Sequence, residues 1–134
     1  MSTKLQRYLE SHKILTQTAL PGLSHELITD SFSGIVVIDR GAFQEGAWFS
    51  TVEEMGARLR EEVYELCRKS RTNGIPVWFI DSSETDNYPV KRIKSACDAV
   101  LPYVNNEDFE EGAPVNAEFQ YLNLYATGIL EGTI

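Results

Sequence analysis

The 134-residue chain predicts an α/β domain with a mainly parallel sheet covered by helices on both faces. Three observations carry that prediction. Two runs, Ile35–Asp39 and Ile75–Asp81, are apolar at nearly every position and end in an acid. Strands buried on both sides read that way, whereas half-exposed strands alternate. Between the two runs lies a long segment whose apolar residues recur at spacings of three and four. From residue 35 onward the order is β-α-β-α-β with short connections. Right-handed crossovers then make a Rossmann-like three-layer sandwich.

The elements follow in chain order. Residues 3–12 place Leu5, Tyr8 and Leu9 on one helical face. Residues 13–20 read as a short strand running into the turn Pro21-Gly22, and residues 23–30 as a turn of helix. After the Ile35–Asp39 strand comes a loop, Arg40 to Phe49, with Gly41, Gly46 and the aromatics Phe43, Trp48 and Phe49. Ser50-Thr51-Val52-Glu53 has the form of a capping box, a hydroxyl and a carboxylate that satisfy orphan amides reciprocally. The helix it opens turns Val52, Met55, Leu59, Val63, Leu66 and Cys67 inward and stops at Asn73-Gly74. The second strand, Ile75–Asp81, leads through a polar loop to a helix around residues 89–98. Val90, Ile93, Ala96 and Cys97 face inward there, and Lys91, Arg92 and Lys94 outward, with Asp86 or Asn87 as its cap. Residues 98–104 supply a third strand and residues 105–118 an acidic loop. Residues 119–130 are apolar enough to pack on the domain, in a pattern that fits helix and strand alike.

The length suits one domain, residues 1–134, with a compositionally distinct acidic segment at 105–134. Twelve basic residues against twenty acidic ones leave a net charge of −8. That balance argues against nonspecific nucleic-acid binding and against binding to an anionic membrane. Residues 95–134 hold seven of the acids and no Lys or Arg. No stretch has the ~18 apolar residues of a membrane span, and the N-terminus lacks the apolar core of a signal peptide, so a cytoplasmic protein is expected. Cys67 and Cys97 read as small buried hydrophobes in a reducing compartment. Neither has metal-site spacing to a His or Cys. No cofactor is expected, because GxGxxG and GxxxxGK[ST] are absent, and the absence of GxSxG argues against an α/β-hydrolase.

In an open parallel sheet, ligands bind beyond the carboxyl ends of the strands, where strand order reverses. The loops after Ile38 and Ile80 are therefore the places for a site. The first offers Asp39 to accept from a hydroxyl, Arg40 as a cation, and Trp48 to stack on a sugar or base. The second offers Asp81 and Glu84. Asp39 and Asp81, with Asp86, could also converge on a divalent cation and support a hydrolase. His12 ends a surface helix and reads as exposed, and His25 lies before the first strand.

The run from Ile35 to Tyr103 resembles one family. A strand ending in an acid leads to a loop closing on Gly46-Ala47-Trp48. A long helix then leads into Asn-Gly-Ile-Pro-Val-Trp-Phe-Ile-Asp (residues 73–81). After a polar loop and a helix comes Cys-Asp-Ala-Val-Leu-Pro-Tyr-Val (residues 97–104). This is similar to the N-terminal domain of CgeB-like glycosyltransferases of the GT-B fold. The likeness covers about half of the chain, and its Asp81-Ser82-Ser83-Glu84 segment departs from the family pattern. It implies an acceptor-side domain, part of a larger enzyme or an inactive stand-alone relative. Asp39, Arg40, Trp48, Asp81 and Glu84 would then line the cleft and bind a sugar or glycosyl acceptor. The alternative is a non-catalytic Rossmann-like binding or scaffold module that works through a partner or a homodimer, using the apolar segment 119–130.

Overall fold

The computed structural model describes residues 2–14, 16–17, 19–22, 24–28, 34–44, 46–49, 51–53, 56–82, 85–102 and 117–131. Three short strands form its sheet: β1 (Val36–Asp39), β2 (Val77–Ile80) and β3 (Ala99–Leu101). Their order is β1-β2-β3 and both pairings are parallel, with Asp39 opposite Ile80 and Ile80 opposite Leu101. The all-apolar reading of the strands holds, because β2 is buried at every position.

Strand alternation sends β2 side chains to two separate cores. Val77 and Phe79 pack with Val63 and Cys67 of α2 (Ala57–Thr72) and with Val90 and Ile93 of α3 (Tyr88–Ser95). Trp78 and Ile80 pack with Leu5 and Leu9 of α1 (Thr3–Ser11) and with Leu122, Tyr125 and Ala126 of α4 (Ala117–Glu131). Helices thus cover both faces. The two crossover helices share one face, and the first and last helices share the other. Trp78 and Phe79 are the largest side chains without solvent contact, which makes β2 the axis of the domain.

Several boundaries differ from the sequence reading, each for a local reason. The long helix begins at Ala57, after a Gly56 N-cap that makes no side-chain cap bond. Ser50, the cap of the expected Ser50–Glu53 box, lies outside the described residues, and residues 51–53 precede the helix. Thr51 is fully buried, and its hydroxyl donates 2.6 Å to the Trp48 carbonyl, so it closes a turn that precedes the helix. Residues 13–20 contain no strand among those described. Lys13 instead takes a left-handed conformation (φ 60°), and the Lys13 and Ile14 amides bond back to Glu10 and Leu9, ending α1 in a tight reversal. The ambiguous segment 119–130 is helical. Leu122, Tyr125, Ala126 and Ile129 make an i, i+3, i+4, i+7 stripe toward the core, and exposed Leu124 is the residue that blurred it. Within the predicted loop 105–118, only residues 117 and 118 lie inside the described set, at the start of α4.

Candidate functional site

Each of the first two strands delivers an acid to the same end of the sheet, and the two acids meet different donors. Asp39 is buried, 3% exposed. One carboxylate oxygen accepts from the Ser2 amide at 2.9 Å and the other from the Gly41 amide at 3.0 Å. The second bond caps the 3₁₀ turn Arg40–Phe43 that leaves β1. The first pins the start of α1, whose N-cap is Ser2 itself, with its hydroxyl accepting from the Leu5 amide at 3.2 Å. Gly41 suits this position, because a Cβ there would sit 3.3 Å from both the Asp39 carboxylate and the Ser2 Cβ. Asp39 is therefore an anchor for two stretches of backbone.

Asp81, the residue after β2, meets side-chain cations. Its Oδ1 accepts from Arg40 at 3.0 Å and its Oδ2 from Lys94. Asp86 completes a quartet, accepting from Arg40 at 2.9 Å and from Lys94 at 2.9 and 3.0 Å. Arg40 also donates to the Thr85 carbonyl. The four side chains are between 11% and 19% exposed, and their formal charges cancel. Burial alone would raise the Asp86 carboxyl, but the Lys94 ammonium and then the Arg40 guanidinium outweigh it and hold the carboxyl below its ordinary value. Burial alone would lower Lys94, but its bonds to Asp81 and then Asp86 outweigh that and raise it. The quartet staples the β1 exit, the β2 exit and α3 together.

Arg40 and Asp81 are thus brought together, but as partners of each other rather than as two sides of a substrate cleft. Among the described residues the strand order has no reversal at that point. β1, β2 and β3 follow one another without reversal, so α2 and α3 lie on the same face and nothing splits the sheet between Asp39 and Asp81. Trp48 is also recast. It is 8% exposed, its ring packs with Ile38, Phe43 and Val63, and its Nε1–H donates 2.8 Å to the Ala19 carbonyl. The expected open stacking platform is a wall of the core. Glu84 and the side chain of His25 lie outside the described residues. His12 is exposed and stacks on Tyr121 at 4.3 Å. Among the described residues no group of three His, Cys, Asp or Glu could hold a metal ion, and Asp81 and Asp86 face cations instead. Asn87 is the cap of α3, accepting from the Val90 amide at 3.0 Å. No helix among the described residues is long and apolar enough to cross a membrane.

Lys94 is the residue the sequence reading missed. Its spacing groups it with outward-facing Lys91 and Arg92, yet it lies four residues after buried Val90. That spacing puts it on the rim of the apolar stripe, where a long side chain can reach back over the sheet end. Its ammonium sits 5.7 Å from the centre of the Phe79 ring.

A cavity of about 1060 Å³ runs along the outer edge of β1. Residues Ile35 to Asp39 form one wall, with Phe43 and Trp48 beyond them. Ile14 and Ala19 line it from the N-terminal side, and Leu27 and Ile28 from the turn before β1. Lys13, Thr16, Gln17 and Asp39 are the polar contributors to an otherwise aliphatic and aromatic lining. β1 has β2 on one side, and no described strand pairs with its other side. The volume is that of a site for a small organic ligand, and the lining favours one with an apolar body and few polar groups.

A comparison of the chain with protein-family models, with curated proteins and with solved structures returns no match.

Proposed function

We propose that this chain is the acceptor-side domain of a GT-B-type glycosyltransferase, a Rossmann-like half that binds the acceptor and does not turn it over alone. The observation that supports this reading best is the cavity beside β1. It is large and mostly apolar, and it lies beside the first strand of the described β1-β2-β3 order. In doubly wound sheets, a reversal of strand order on that side of the first strand is what opens a ligand crevice. The described carboxylates at the sheet end are committed to backbone amides or to cations, which fits a binding half better than a catalytic one. The segments that carry the family resemblance fall, in order, on β1, the Gly46–Trp48 turn, α2, β2, α3 and β3. The acceptor implied by the lining is an alcohol with an alkyl or aromatic body.

The test is a titration with a short-chain alkyl glucoside, kept below its micelle concentration, beside one with free glucose. Tryptophan fluorescence reports the cavity wall through Trp48, and thermal unfolding reports linkage. Saturable binding of the alkyl glucoside with a raised Tm, no response to glucose and no sugar transfer by the chain alone are expected. Turnover of a nucleotide sugar by this chain alone, or indifference to the alkyl glucoside, would overturn the reading. The scaffold alternative loses part of its motive, because α4 turns Leu122, Tyr125 and Ala126 inward onto α1 and the sheet rather than toward a partner.

A further inference from the structure

We propose that the cavity beside β1 takes its acceptor as a carboxylate, an alcohol whose apolar body ends in an acid group held by Lys13, with Thr16 and Gln17 beside it. This deepens the reading of that cavity as an acceptor site and rests on it. The lining divides by segment. β1 and the turns that follow it supply Val36, Val37, Ile38, Phe43 and Trp48, whereas every polar lining residue except Asp39 comes from residues 13–17. Lys13 and Gln17 are exposed and Thr16 is half-buried, so this short segment stands at the mouth of the cavity and the strand forms its inner wall.

The two charged residues of the lining are not equivalent. Asp39 is 3% exposed and both of its oxygens are taken, by the Ser2 amide at 2.9 Å and the Gly41 amide at 3.0 Å. The Lys13 ammonium and the side chains of Thr16 and Gln17 make no hydrogen bond or ion pair with any described residue. The described lining therefore holds one uncommitted cation with two uncommitted hydrogen-bonding groups next to it. A single ammonium at the mouth of an apolar cavity matches a monoanion on an apolar body, because the body is buried against β1 while the charge stays where water reaches it. The backbone at Lys13 is a second, independent sign. Its φ of 60° is the one left-handed value at a described residue other than glycine. It follows His12, the C-cap of α1, and so occupies the place where helices most often put a glycine. A lysine is strained there and a glycine is not, and strain of this kind gathers at ligand sites. The net charge of −8 disfavours anions over the rest of the surface, so a carboxylate that binds must meet a local cation.

The experiment titrates the full chain at neutral pH with ω-hydroxydecanoate and, separately, with its methyl ester, both kept below the concentration at which they aggregate. Tryptophan fluorescence and thermal unfolding report binding. The acid should bind about tenfold more tightly than the ester, the gain expected of one charge-assisted hydrogen bond. Lys13→Met keeps the apolar stem and should abolish that ratio, and Lys13→Arg should restore it. Lys13→Gly should abolish it too, yet raise the Tm by about 3 °C, because glycine takes the left-handed backbone without strain. A purely structural lysine would not trade stability for selectivity in this way. Equal affinity for acid and ester, or a preference that survives Lys13→Met, would overturn the proposal. Binding of the ester and the alkyl glucoside with no preference for the acid removes this proposal and leaves the acceptor reading standing. Binding of the acid that needs Lys13, with no response to the alkyl glucoside, supports the carboxylate site and removes the acceptor reading.

Discussion

Asp39 and Asp81 stand at the ends of neighbouring parallel strands, and the same residue type does two different jobs there. Asp39 meets amides. It accepts from the backbone of Ser2 and Gly41, so it is worth what a buried hydrogen-bonded cap is worth. Asp81 meets Arg40 and Lys94, two cations that are themselves mostly withdrawn from water. The difference lies in the donors each strand exit presents, not in the acids. Gly41 lets a 3₁₀ turn fold tightly back on Asp39, and that turn begins with the residue, Arg40, that reaches across to Asp81. A strand-end acid is thus read correctly only together with the turn that follows it.

The largest effect that would separate the two acids is expected from Asp81→Ala. It takes one carboxylate from both Arg40 and Lys94 in a poorly solvated place, and should cost about 3–5 kcal/mol in urea denaturation. Asp39→Ala removes one cap and strands two amides, for about 2 kcal/mol. It should also speed amide exchange through α1, which Asp81→Ala leaves protected. A larger loss at Asp39 than at Asp81 would break the comparison.

The response to pH sharpens it. Asp86 is held below its ordinary value in the folded state, so its contribution is present above the unfolded value and is lost as the pH falls through the folded one, below about pH 4. Lys94 is raised, so its contribution is complete below its unfolded value and is lost on the alkaline side, as the pH rises through the folded one. In Asp86→Asn the acid-side slope of stability against pH should become shallower, and unfolding followed across an acid series checks this. The smallest effect is expected from Trp48→Phe, which keeps the ring wall but leaves the Ala19 carbonyl without its donor, at about 1 kcal/mol. Under the proposed function this variant should still bind the alkyl glucoside, since the apolar lining is retained.

Much of this architecture is legible in the residues. Two unbroken apolar runs locate β1 and β2, and their parallel partnership follows from the helix between them. Asn87 ahead of Pro89 gives the start of α3. What stays hidden depends on tertiary partners. Ser50 to Glu53 has the composition of a cap, but Thr51 spends its hydroxyl on the Trp48 carbonyl, and no local pattern reveals that. The quartet joins residues 40, 81, 86 and 94 from two connections and a helix, so only the fold brings its charges together. Strand order decides where a crevice can open, and a list of elements without their order could not place it beside β1 rather than between Asp39 and Asp81.

The sharing of one sheet face by α1 and α4 has a consequence for how the chain is made. Everything needed to cover Val77 and Phe79 lies between residues 36 and 101, so that side can assemble from contacts close in sequence. Trp78 and Ile80 on the reverse side depend on α1 and on α4, which emerges more than a hundred residues after it. During translation a half-built domain would hold an indole and an aliphatic side chain open to water until α4 leaves the ribosome. For that interval the nascent chain exposes apolar sheet surface of the kind that drives aggregation.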